Sequence, residues 1–167
     1  TMIRIMVVLL AMLTIPTTMV SLGNYLPEKP QSTLPVSEKE ALDFLSHQPS
    51  GIVLTYPFDS EKSVKAGSPK PLYLYTSTAY VSAFSWHPTF LEDEMNLDIM
   101  RYPWHQRKES IENFLNTLDE NDAKAFLKDN NISYVYWLKD QHARVGDFQL
   151  GLTRIFENGE VTIFKVN

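Results

Sequence analysis

The stretch Ile132–Leu138, "ISYVYWL", decides the fold. It is too short for a helix, and β-branched and aromatic side chains dominate it, so it reads as a buried strand. Tyr134, Tyr136 and Trp137 are then sheet and core residues. Downstream, "LTRIFENGEVTIFKVN" reads as a hairpin turning at Asn158–Gly159, a pair suited to a type I′ turn. Upstream, "QRKESIENFLNTL" places Ile111, Phe114, Leu115 and Leu118 at helical spacing, with Arg107 at the start of the helix. "ENDAKAFLKDNN" repeats the pattern with Ala123, Phe126 and Leu127, and Asn130–Asn131 can supply a left-handed end.

Further upstream, "VSEKEALDFLSHQPSG" predicts a helix with a capping box at Ser37 and Glu40 and a stripe of Ala41, Phe44 and Leu45. "GIVLTYP" is a second buried strand. Residues 58–71 read as a mobile polar loop. "LYLY" favours a strand, "STAYVSAFS" a short helix and "PTFL" another brief strand. This alternation of helix and strand, closed by a hairpin, predicts an α/β fold: a small sandwich with a mixed, partly parallel sheet and an antiparallel edge.

Ahead of this domain, Ile5–Pro27 runs for 23 residues without Asp, Glu, Lys or Arg. About 20 such residues cross a hydrocarbon core as a helix. The expected organisation is a transmembrane helix over 1–26, a proline-rich linker over 27–36 and an α/β domain over 37–167. Arg4 precedes the span and the carboxylates begin at Glu28, which places the domain outside a cell membrane by the positive-inside tendency. Pro16 is tolerable in such a helix because Thr14, Thr17 and Thr18 can supply hydroxyls. A signal peptide and a buried core helix are the alternatives for this segment.

A net charge of −5 argues against a nucleic-acid partner. The absence of cysteine excludes disulfides, thiolate nucleophiles and cysteine-based zinc sites. The chain has no phosphate-cradling glycine loop and no nucleophile elbow. His47, His87, His105 and His142 are too scattered to suggest a metal centre, and no metal is expected.

One stretch concentrates chemistry. Ser85–Arg107, "SWHPTFLEDEMNLDIMRYPWHQR", holds two His, two Trp, four carboxylates and two Arg. Trp86 and Trp104 offer flat plates for sugar faces, with core packing as the plainer reading. His87 and His105 could act as an acid–base pair, or sit as surface or core histidines. Glu92, Asp93, Glu94 and Asp98 could attract calcium but lack the ligand alternation of a binding loop, so a solvated acidic loop is expected. Arg107, at a helix start that does not favour cations, suits an anion clamp.

The order of pieces from "SEKEALDFLSHQ" through "YVSAFSWHPTFL", "RKESIENFL" and "LKDNNISYVYW" to "IFENGEVTIFKV", behind one apolar span, resembles the C-terminal end of polytopic GT-C-type membrane glycosyltransferases. The resemblance covers about residues 7–166. It implies a parent enzyme that uses a polyprenyl-phosphate sugar donor, further transmembrane helices as partners, and a small extracytoplasmic domain that supports or recognises the acceptor. Catalytic carboxylates in that family lie near the start of the full protein, so no catalytic residue and no cofactor is expected here. Where relatives often carry a small residue and Arg, this chain has Trp86 and His87; Arg107 matches a later family Arg.

Three functional readings follow: the terminal part of such an enzyme, a secreted or anchored carbohydrate-binding domain, and a small hydrolase using the histidines. The candidate substrate-binding residues are Trp86, His87, Trp104, His105 and Arg107, and glycan or a lipid-linked sugar is the expected ligand.

Overall fold

The fold is that of a computed structural model, which describes residues 2–26 and 30–167. Helix α1 spans Met2–Tyr25. Its Met2–Gly23 segment is long and apolar enough to cross a membrane, and none of it is buried against the rest of the described chain. Thr14, Thr17 and Thr18 donate to the carbonyls of Leu10, Leu13 and Thr14 at 2.7–2.8 Å. None of these bonds reaches Met12, whose carbonyl loses its usual partner to Pro16. The hydroxyls satisfy themselves rather than mend the proline gap.

The linker expected over 27–36 lies partly outside the described residues. From Pro30 onward it contains β1 (Ser32–Thr33), and helix α2 follows over Val36–Ser46. The expected capping box does not form. Pro35 occupies the cap position, so Ser37 is already inside the first turn and no side chain caps the helix. Strand β2 is Ile52–Thr55.

The predicted loop over 58–71 carries a short helix, α3 (Ser60–Lys65), capped by Asp59 accepting from Lys62 N at 3.0 Å. With no buried residue, that helix leaves no apolar stripe to read. "LYLY" is not a strand. Lys70–Pro71 forms β3, paired in parallel with β1, and Leu72–Leu74 tightens into a 3₁₀ turn.

Helix α4 (Tyr80–Ser85) ends where Trp86 turns left-handed at φ 60°. "PTFL" then runs along the outer edge of β2: Val53 N donates to Pro88 O at 2.9 Å, and Phe90 N to Val53 O at 2.8 Å. The expected acidic loop becomes α5 (Glu94–Ile99), because Asp93 caps it through Asn96 N. Helix α6 spans Trp104–Asn116 and α7 Glu120–Asp129. Leu118 falls beyond α6 and is exposed, not part of its apolar stripe. Asn131 supplies the left-handed residue after α7.

Strands β4 (Ile132–Leu138), β5 (Leu152–Glu157) and β6 (Val161–Val166) complete a sheet ordered β2-β4-β6-β5. β2 and β4 are parallel; β6 is antiparallel to both β4 and β5. This is the mixed sheet with an antiparallel edge. The turn at Asn158–Gly159 is not type I′, since neither residue has positive φ. Instead the Asn158 carboxamide oxygen accepts from Glu160 N and Val161 N at 3.0 and 2.9 Å, and Asn158 Nδ2 donates to Ser37 O at 2.9 Å.

Side chains of β4 divide the core. Val135 and Trp137 pack with Ile111, Phe114 and Leu115 of α6 and Ala123 and Leu127 of α7. Tyr134 and Tyr136 pack with Ala41, Leu42 and Leu45 of α2 and Val81 of α4. Helices therefore cover both faces, and burial of each large apolar side chain is worth about 1.5–3 kcal/mol.

Candidate functional site

The five residues singled out from sequence lie in unlike surroundings. Trp86 is 85% exposed, held outward by its left-handed backbone. His87, one residue on, is buried with its ring edge-on to Tyr134. Its Nδ1 lies 2.7 Å from Ser85 O and its Nε2 3.1 Å from Pro49 O. With both ring nitrogens against carbonyl oxygens, the imidazole ties the end of α4 to the start of β2 rather than facing a ligand.

Trp104 is part-buried. Its ring stacks on His105 at 3.9 Å, and Lys108 Nζ stands 5.7 Å from its centroid. Both neighbours compete with a sugar for that plate. His105 is exposed, in a setting distinct from that of His87. Arg107 donates from Nη1 to Phe90 O at 3.0 Å and lies over the rings of Phe90 and Tyr102 at 5.2 and 5.3 Å. This joins α6 to the edge segment beside β2. Arg107→Ala is expected to destabilise the chain by about 1–2 kcal/mol, through loss of one charge-assisted bond and the ring contacts. Urea unfolding of the full chain in detergent measures this.

A concave feature of the domain lies elsewhere, at the C-terminal ends of the parallel strands β2 and β4. That is where open α/β sheets present ligands. A cavity of about 50 Å³, open at its mouth, is lined by Thr55, Tyr73, Tyr75, Tyr80, Glu92, Asp93, Glu94 and Tyr136, among others. It admits one head group rather than a whole sugar ring. Its position follows from the chain path. Thr55 ends β2, Tyr136 lies near the end of β4, Tyr80 opens α4, and the three acidic residues lead into α5.

Each carboxylate has a distinct environment. Glu92 accepts from Val81 N at 3.0 Å and Ser82 N at 3.1 Å. Burial still pushes its carboxyl above the ordinary range, against those hydrogen bonds. Glu94 is buried; its Oε2 meets Lys108 Nζ at 3.0 Å, while Oε1 has no partner. Tyr136, 1% exposed, buries its hydroxyl beside that of Tyr80.

Behind Tyr80 and Tyr136 lies Glu38 of α2, 2% exposed, with Oε2 unpartnered. Burial raises its carboxyl to about 7; Tyr80 opposes that rise by hydrogen bonding, and Glu160 adds to it by repulsion. Burial first, then the neighbouring hydroxyl and carboxylates, also push Tyr80 up. Tyr136 is raised by burial and then by Glu38, against a hydrogen bond with Tyr80.

None of Glu38, Tyr80 and Tyr136 stood out from the sequence as a site residue; Tyr136 was read as part of the sheet and core. A signal was present for Glu38: it shares the buried stripe of Ala41, Leu42 and Leu45, at i, i+3, i+4 and i+7. A carboxylate on an apolar stripe is costly unless it has a role or a partner. Among the described residues no group of three or more His, Asp or Glu side chains is arranged to hold a metal. No family model and no curated protein matches the chain.

Proposed function

We propose that this chain is the last membrane span and extracytoplasmic domain of a glycosyltransferase that draws on a polyprenyl-phosphate sugar donor. In this reading the domain receives the acceptor saccharide and leaves transfer to the membrane-embedded body. The observation that carries it is the pairing of an unburied apolar helix, Met2–Gly23, with a tyrosine- and carboxylate-lined cleft at the C-terminal ends of β2 and β4. A concave site lined by hydroxyls and carboxylates suits a hydrogen-bonding ligand. Arg4 at the head of the helix favours the orientation with the domain outside.

An anchored carbohydrate-binding domain is the second reading. It is favoured by the Trp86 ring, which stands out at 85% exposure as a free stacking plate.

Native size separates the two. An antibody against residues 37–167 is expected to detect a carbonate-resistant band several times larger than 19.2 kDa. A cysteine placed at exposed Phe148 is expected to add, on intact cells, a reaction with a membrane-impermeant maleimide that the unsubstituted protein lacks. A native band near 19.2 kDa would sink the glycosyltransferase reading and leave the binding domain. A cysteine protected until lysis would overturn the orientation.

A further inference from the structure

The corner between α5 and α6 turns large apolar side chains outward. Ile99 is 71% exposed and Met100 68%; Met95, one helical turn before Ile99, and Tyr102 are exposed as well. We propose that this corner docks on the anionic surface of the bilayer that holds α1, its apolar residues entering the boundary between headgroups and acyl chains. The inference needs only that α1 lies in a membrane, which both functional readings share.

The corner is a fixed turn. Arg101 N donates to Asp98 O and Tyr102 N to Leu97 O, each at 2.9 Å, with Arg101 left-handed at φ 56°. This is the pair of bonds that commonly closes a helix on glycine. Arg101 stands where glycine is the unstrained residue, so a cation is held at the tip at some backbone cost. Leu97 packs on the core shared by α6 and α7, which seats α5 through one side and leaves the other outward.

Charge suits the same partner. Asp98 precedes the corner, but from Ile99 to Lys108 there is no acidic residue, while Arg101, Arg107 and Lys108 are cationic, in a chain of net charge −5. Even with Lys108 balanced by Glu94, two arginines remain to meet anionic headgroups. Tyr102 and Trp104 are of the types that gather at membrane–water boundaries.

The chain path brings the bilayer within reach. Met95 N donates to Thr76 O at 3.1 Å, and the hydroxyl of Tyr75, the preceding residue, donates to Gln31 O at 2.7 Å. Two hydrogen bonds thus link the base of α5 to the point where the chain arrives from α1. From Tyr25 to Gln31 a fully extended chain spans only about 20 Å. Asp93 and Glu94 of the cleft lead into α5, so docking sets the mouth of the cleft near the headgroup layer.

The test places an environment-sensitive fluorophore on Met100→Cys, or on Phe148→Cys as control, in the 167-residue chain, which holds no other cysteine. Phe148 is exposed in the loop before β5, at the sheet edge opposite β2. Each chain is reconstituted in phosphatidylcholine–phosphatidylglycerol vesicles containing a lipid with a nitroxide just below its headgroup. About twofold quenching is expected at position 100 and none at 148, since interfacial apolar faces lie about 5–10 Å into the boundary. Ile99→Asp, at an exposed site, is expected to abolish the quenching at position 100.

Equal quenching at both positions, none at either, or quenching that survives Ile99→Asp would each overturn the inference. A blue shift at position 100 without quenching would mean contact between protein chains and would overturn it too. Carbonate extraction of the same vesicles separates the levels. A chain retained but unquenched removes the docking alone, whereas a chain washed free shows that α1 is no span and removes both functional readings with it.

Discussion

Above pH 7 the Glu38→Gln variant is expected to be more stable than the native chain by roughly 3 kcal/mol. The native carboxyl titrates near 4.5 when unfolded and near 7 when folded, because burial in the face between α2 and β4 penalises its charge. A raised folded value means the folded state holds the proton more tightly. The stability contribution is therefore complete below pH 4.5 and declines as pH climbs to about 7, where it levels off.

Gln keeps the side chain's shape and is neutral throughout. The two proteins should thus unfold alike near pH 4 and diverge by pH 8, measured as urea midpoints of the full chain in detergent. A shallower slope will persist in the variant, since burial raises Glu92 and Asp147 as well. If the variant kept the whole native slope, Glu38 would not be the group that stores it.

The second large effect concerns backbone proximity. Gly51 precedes β2 beside the irregular register between Ile52 and Val53. A Cβ there would lie 2.4 Å from Ser133 Cβ and 2.5 Å from its Oγ, with Tyr134 Cε2 at 3.1 Å. Ser133 sits inside β4, so its Cβ cannot swing aside as the tip of a long side chain would. Gly51→Ala is expected to cost about 2–3 kcal/mol by forcing the parallel pair apart. The same shift would disturb the Tyr134 hydroxyl, which donates to Pro49 O at 2.8 Å.

Ser133→Gly removes the obstructing atoms. The double variant is therefore expected to recover most of the Gly51→Ala loss, beyond the added cost of a strand glycine, and a double-mutant cycle would read the coupling. Independent, additive losses would show that the clash is absorbed elsewhere.

Much of the architecture was legible because it rests on long periodic segments. "ISYVYWL", the stripes of α6 and α7 and the apolar run of α1 each bury or present a face that their own spacing announces. What escaped was set by single contacts. Asp59 and Asp93 turn polar stretches into short helices by accepting one backbone hydrogen bond each. Pro35 displaces the expected cap, and Asn158 shapes its turn through its side chain instead of positive φ.

The aromatic-rich segment drew attention by composition, yet its His87 and Arg107 are engaged with carbonyls of the fold. The cleft was harder to foresee. Glu38, Tyr80, Glu94 and Tyr136 lie on four different elements, and only the parallel pairing of β2 with β4 brings their neighbourhood together.

The attachment of the domain to its helix has a mechanical consequence. Tension drawn along α1 enters the folded part at β1, whose two residues pair with Lys70 and Pro71 alone. So short a parallel ladder peels under load well before a core strand would. Beyond it the pull meets the start of α2, where Asn158 grips the Ser37 carbonyl and couples the chain to the β5–β6 hairpin. Gln31, beside that pairing, accepts from the Lys70 amide at 3.2 Å and from the Tyr75 hydroxyl at 2.7 Å, so load entering at β1 passes straight to the Tyr75 wall of the cleft.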